Sequence, residues 1–102
     1  MALDFAVLTE DDTSAEIISL GIRQHDILMT LAGQLKLQQL LRFGDYCNEV
    51  DFRPSELPAL ARDLDIVSKS AAPREIVAFA RALDGLVTLA IQRHKPLMAI
   101  PD

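Results

Sequence analysis

Apolar and polar positions alternate at the start of the chain. Leu3, Phe5 and Val7 recur at period two and predict a strand over residues 3–9 with these three on one sheet face. Glu10, Asp11, Asp12, Thr13 and Ser14 follow as a turn, because short polar side chains bond their own backbone and compete with a ladder. Residues 15–20 predict a second strand, and two strands joined by so short a connection make an antiparallel hairpin. Gly21 ends that strand, and over residues 22–37 the period lengthens. Ile27, Leu28, Leu31 and Leu35 form the stripe of an amphipathic helix, widened by Met29 and Ala32. Gly33 weakens this helix by about 1 kcal/mol relative to Ala. Residues 38–44 are too short for periodicity to decide: they either end the helix or form a third strand against the hairpin.

Residues 45–53 are the least regular, and predict a surface loop with a short extended piece, closed by Pro54. Ser55 is the candidate N-cap of the next helix, with Glu56 in the first turn beside the positive end of the dipole. Leu57, Leu60, Ala61, Leu64 and Val67 then fall at helical spacing, ending near Lys69. Pro73 opens a last helix over residues 74–94 that is apolar nearly all round, which predicts the central helix of the core or a helix with one face in an oligomer interface. The apolar tail 97–100 docks as an edge strand or packs on a neighbour. The expected architecture is a single α+β domain over residues 1–102. Its small antiparallel sheet is the N-terminal hairpin, plus a third strand if 38–44 is extended, and three helices cover it.

At 102 residues and 50% hydrophobic, the chain is long enough and apolar enough for one core and unlike a disordered chain. A single cysteine, Cys47, rules out an internal disulfide framework and, with no basic-then-apolar leader at Met-Ala-Leu-Asp-Phe, predicts a cytoplasmic chain without a secretory signal. The formal charge of −5 argues against non-specific binding to nucleic acid or an anionic membrane. No apolar stretch approaches the roughly 20 residues of a membrane helix. The acid falls in two blocks. Residues 1–16 carry Asp4, Glu10, Asp11, Asp12 and Glu16 with no base; residues 45–65 carry Asp45, Glu49, Asp51, Glu56, Asp63 and Asp65 against Arg53 and Arg62. Either the blocks lie on solvated loops, or they meet as a negative patch that steers a basic partner.

The residues for chemistry are sparse. His25, His94 and Cys47 have no ligand spacing, so no metal site is expected. His25 and Asp26, adjacent in a helix, point in different directions, and His25 reads as a surface histidine. Acidic neighbours suppress the thiolate of Cys47, which reads as a half-buried structural cysteine. The four glycines, Gly21, Gly33, Gly44 and Gly85, are too dispersed for a phosphate loop or dinucleotide fingerprint, and there is no nucleophile elbow. Arg74, Arg81, Arg93 and Lys95 make no basic stripe for nucleic acid. The expectation is a protein that is not an enzyme, without catalytic residues, metal or cofactor.

Protein binding remains, and the candidate contact residues are Asp45, Tyr46, Glu49, Asp51 and Phe52, since exposed aromatics beside charge are common interface anchors. In the competing reading, Tyr46 and Phe52 cap the core beneath a loop. Two stretches carry a family likeness: Ser19-Leu20-Gly21 with His25 and Leu28-Met29, and Arg42-Phe43-Gly44-Asp45-Tyr46 followed by Asp51-Phe52, Pro54, Glu56-Leu57-Pro58 and Leu60-Ala61. Over roughly residues 1–65 the chain resembles small, acidic, uncharacterised bacterial proteins similar to the immunity proteins of polymorphic toxin systems. Those motifs are structural, so they bring no active site, and Cys47 sits where such sequences prefer another residue. The resemblance implies a toxin as the protein partner, its basic surface covered by the acidic segment. The alternative is a homodimer or larger homo-oligomer, a structural or regulatory subunit built on the 74–94 helix, and the third reading is a small enzyme without a recognisable motif.

Overall fold

A computed structural model describes residues 2–45 and 48–101. Its elements are β1 (Ala2–Leu8), β2 (Ala15–Gly21), α1 (Ile22–Leu35), α2 (Gln38–Leu41), β3 (Val50–Phe52), a 3-10 turn (Pro54–Glu56), α3 (Leu57–Ser68), α4 (Arg74–Arg93) and β4 (Leu97–Pro101). The strands form one antiparallel sheet in the order β2-β1-β4-β3, and with the helices packed on it the class is α+β. The hairpin forms as its alternation requires. Leu3 pairs with Leu20 and Phe5 with Ile18, and Leu3, Phe5 and Val7 are buried toward the helices. At its turn, Asp11 Oδ1 accepts hydrogen bonds from the hydroxyls of Thr9 and Thr13, both at 2.8 Å. Those donors, Thr13 first, hold the Asp11 carboxyl below its ordinary range.

Two strand assignments change. The third strand is Val50–Phe52, the short extended piece expected within 45–53, and not 38–44, of which 38–41 is a single helical turn, α2. Asp63 of α3 explains this turn: its Oδ2 accepts the backbone N–H of Gln39 at 2.9 Å and of Leu40 at 3.2 Å, supplying from another helix the N-terminal cap that the local sequence lacks. The C-terminal tail is a central strand, not an edge strand. β4 lies between β1 and β3, with Ala99 opposite both Phe5 and Val50. Nor is Ser55 the cap before α3. Glu56 turns back instead, its Oε1 accepting the N–H of Arg53 at 2.9 Å.

α4 packs on β1, β2 and β4 and also on α3, so its breadth of apolar positions reflects a central helix. Ile76, Ala80, Leu83, Val87 and Ala90 are fully buried there, facing Leu57, Leu60, Leu64 and Val67 of α3 within one core cluster. The remaining surface of α4 carries Ala78, Arg81, Ala82, Gly85 and Thr88, which are exposed.

Both long helices α1 and α4 end on a left-handed residue that is not glycine: Lys36 has φ 57° and His94 has φ 54°. At each end the next residue closes a Schellman-type bond, Leu37 N–H to Ala32 O at 2.9 Å and Lys95 N–H to Ala90 O at 3.0 Å. Because a side chain in this region is strained, Lys36→Gly and His94→Gly are each expected to raise stability by about 0.5–1 kcal/mol, a strain release partly offset by glycine's larger unfolded-state entropy. Urea unfolding midpoints test this, and a loss of stability in both variants contradicts it.

Candidate functional site

The acidic segment is organised around Arg42, which follows α2. Its guanidinium carbon lies 3.9 Å from the ring centroid of Phe52, its Nη1 donates to Glu56 Oε2 at 2.9 Å, and its Nη2 donates to the backbone carbonyl of Asp51 at 3.1 Å. One cation therefore stacks on an aromatic face and ties β3 to the turn before α3. Phe52 beneath it is completely buried, its ring tilted against Phe43 at 5.1 Å. This takes Phe52 out of any surface contact and makes it the core residue of the two readings. Tyr46 and Cys47 lie outside the described residues.

Strand alternation decides which acids remain outside. With Phe52 turned inward, Asp51 points to the opposite face, and Asp51, Glu49 and Asp45 are all exposed. Asn48 donates a side-chain hydrogen bond to Asp45. Glu56, Asp63 and Asp65 from the same stretch have structural partners in Arg42, the N-terminus of α2 and Lys69. The first block is separate. Asp12 pairs with Lys95 at 2.6 Å and Glu16 with Arg93 at 3.7 Å, and the turn 9–14 extends beyond the end of the sheet opposite the one from which residues 48–49 enter β3. The acids of the turn and those beside β3 do not form one patch; of the first block only Asp4 shares a sheet face with Asp51.

His25 is a correction. It is buried, 7% exposed, with Nε2 2.6 Å from the carbonyl of Phe43, where it donates and holds the segment after α2 against α1. The residue at its side, Asp26, is exposed on the rim of a groove of about 470 Å³ that sequence reading missed. Ile27, Leu31 and Leu35 of α1 and Ala71, Ala72 and Pro73 of the α3–α4 connection line it. The signal was present in α1, whose apolar stripe is wide enough to split: Leu28 and Ala32 turn to the core, Ile27, Leu31 and Leu35 to the groove. Both hydroxyls at the groove are already committed to helix carbonyls, Thr30 to Asp26 O at 2.9 Å and Ser70 to Val67 O at 2.6 Å. Among the described residues no group of three or more His, Cys, Asp or Glu is placed to hold a metal ion, and no helix is long and apolar enough to cross a membrane.

Glu56 titrates usefully. The Arg53 backbone N–H, and secondarily the charge of Arg42, hold its carboxyl below the ordinary 4.5, while partial burial opposes them. A depressed folded pKa contributes stability above the unfolded value, lost as pH falls through the folded one. Glu56→Gln is therefore expected to be less stable than the parent at pH 7, with the difference closing below pH 4.5. Urea midpoints of both proteins across this window measure it; a pH-independent difference contradicts the assignment.

No family model, no curated protein and no solved structure matches the chain, so its fold and its acidic surface stand on their own geometry.

Proposed function

We propose that this chain is a non-enzymatic, cytoplasmic protein-binding domain of the immunity or inhibitor kind, whose acidic surface at Asp45, Glu49 and Asp51 covers a basic surface of a partner protein, such as the active-site cleft of a toxin. The observation that carries this reading is the division of labour among the carboxylates. Glu56, Asp63, Asp65, Asp12 and Glu16 are spent on internal contacts; of the exposed acids without one among the described residues, Glu10, Asp26 and Glu75 are scattered, whereas Glu49 and Asp51 stand two residues apart at β3, near Asp45. Exposed charges such as those of Glu49 and Asp51 raise encounter rates with an oppositely charged surface and add specificity more than raw affinity. The resemblance of residues 1–65 to immunity-type proteins points to the same mechanism, occlusion.

The test is co-purification with the product of the adjacent gene, followed by binding measurements with the triple charge reversal Asp45→Lys, Glu49→Lys, Asp51→Lys. The reversal is expected to weaken association about tenfold or more and to flatten its dependence on salt, since exposed charges are screened beyond a Debye length of about 8–10 Å. Binding that is unchanged by the reversal overturns the acidic-surface mechanism.

A further inference from the structure

The helices cover one face of the sheet only. On that side Leu3, Phe5, Val7, Leu20, Phe52, Leu97 and Ala99 are buried, whereas on the other side Ile17 keeps 58% and Ile100 38% of its surface exposed. An antiparallel sheet open to water on one side ordinarily alternates apolar with polar residues. Here the outward positions include Ala6, Leu8, Ile17, Met98 and Ile100 beside Asp4, Ser19 and Asp51, so the alternation in polarity is only partial. The registers place Asp51, Met98, Ala6 and Ile17 in one row across all four strands, a row about 14 Å long at the usual strand spacing. The acidic site is thus continuous with this apolar face through Asp51.

The face has one sign of charge. Its strand residues include two carboxylates, Asp51 and Asp4, the latter accepting from the Ser19 hydroxyl at 2.6 Å, and no Lys or Arg. Of the bases that flank these strands, Arg53 and Lys95 are paired with Glu56 and Asp12, and Arg23, two residues beyond β2, is exposed at the start of α1. A second copy docked face to face would bring these carboxylates together with no base among the facing strand residues, which is destabilising. A partner with an apolar centre flanked by Lys or Arg meets both features at once.

From this we infer that the open face of the sheet, centred on Ile17, Met98 and Ile100, is the apolar contact of the same interface, and that its occupant is a basic protein surface with an apolar centre. The inference rests on the acidic-surface reading and adds to it apolar surface, whose burial contributes affinity where the charges contribute mainly rate and specificity.

The probe is a cyclised β-hairpin peptide carrying Val and Leu on one face with flanking Lys, compared with the same peptide carrying Glu, each titrated into the isotope-labelled full chain by NMR. The Lys peptide is expected to perturb the amides of Asp4, Ala6, Ile17, Met98 and Ile100 and to bind about tenfold or more tightly than the Glu peptide. Ile17→Glu removes the anchor and Ile17→Lys also opposes the charge, so affinity should fall in the order parent, Ile17→Glu, Ile17→Lys. Because Ile17 is exposed on the edge strand β2, both variants should keep the parent's dispersed spectrum. Equal binding of the two peptides, or no binding of either, overturns the inference. Perturbation confined to residues 48–53 and unaltered in the Ile17 variants also overturns it while leaving the acidic surface in place. Self-association that Ile17→Glu abolishes would show a second copy on this face and overturn the choice of occupant. The acidic-surface reading fails separately, where the triple reversal leaves the adjacent gene product's binding unchanged.

Discussion

The structure depends on a line of ring contacts that uses every phenylalanine in the chain. Phe52 lies against Phe43 at 5.1 Å, Phe43 meets Phe5 edge-on at 5.0 Å, and Phe5 meets Phe79 at 5.5 Å. These four come from β3, the segment after α2, β1 and α4, parts far apart in sequence. Aromatic pairs of this geometry each add about 0.5–1.5 kcal/mol beyond their burial. Their larger role is positional. The stretch from Lys36 to Glu56 has no long helix or strand to fix it, and Phe43, held by its ring on one side and by His25 at its carbonyl, supplies the fixed point. The exposure of Asp51 follows from the burial of Phe52, since neighbouring strand residues face opposite ways.

The formal charge of −5 says little about where charge is available. Most carboxylates act internally: Asp11 organises the hairpin turn, Asp63 caps α2, Glu56 joins the Arg42 cluster, and Asp12 and Glu16 fasten the hairpin to the end of α4 and the residues after it. Such exposed or half-exposed pairs are each worth little in stability. Their effect here is to engage acids at both the hairpin turn and the 53–69 stretch, leaving Glu49 and Asp51 exposed beside β3 as Glu10, Asp26 and Glu75 are elsewhere. A count along the sequence treats the two acidic blocks as equals, whereas pairing separates them.

Local patterns were legible where the physics is local. The hairpin follows from alternation and a polar turn, α3 from its 3.6-residue stripe, and α4 from the long run after Pro73 that is apolar nearly all round. What could not be read depends on partners distant in sequence. α2 exists because Asp63 caps it from 24 residues away, and β4 is central because β1 and β3 both present ladders to it. The helix ends at Lys36 and His94 carry none of the glycine that marks such stops. In the site, the acids Asp45, Glu49 and Asp51 could be named from the sequence, but Phe52 could not be placed outside or inside without knowing that β3 borders β4. His25 failed for the same reason, since its partner at Phe43 is 18 residues on and in another element.

The open sheet face explains a choice of residues that core packing does not require. Ala2, Ala6 and Ala15 keep much of it shallow, and Ile17 and Ile100 rise above this floor while Asp51 stands on the edge strand β3 and Asp4 between Ser19 and Ile100. Were solubility the only constraint, β-branched polar residues such as Thr would serve these outward positions better, because they favour strands as strongly as Ile without exposing apolar surface. Retaining isoleucine on an uncovered face favours association, and the all-acidic polarity of that face disfavours association with itself. In the interface we propose, the two features together call for a partner that brings both apolar surface and positive charge, which neither feature would select alone.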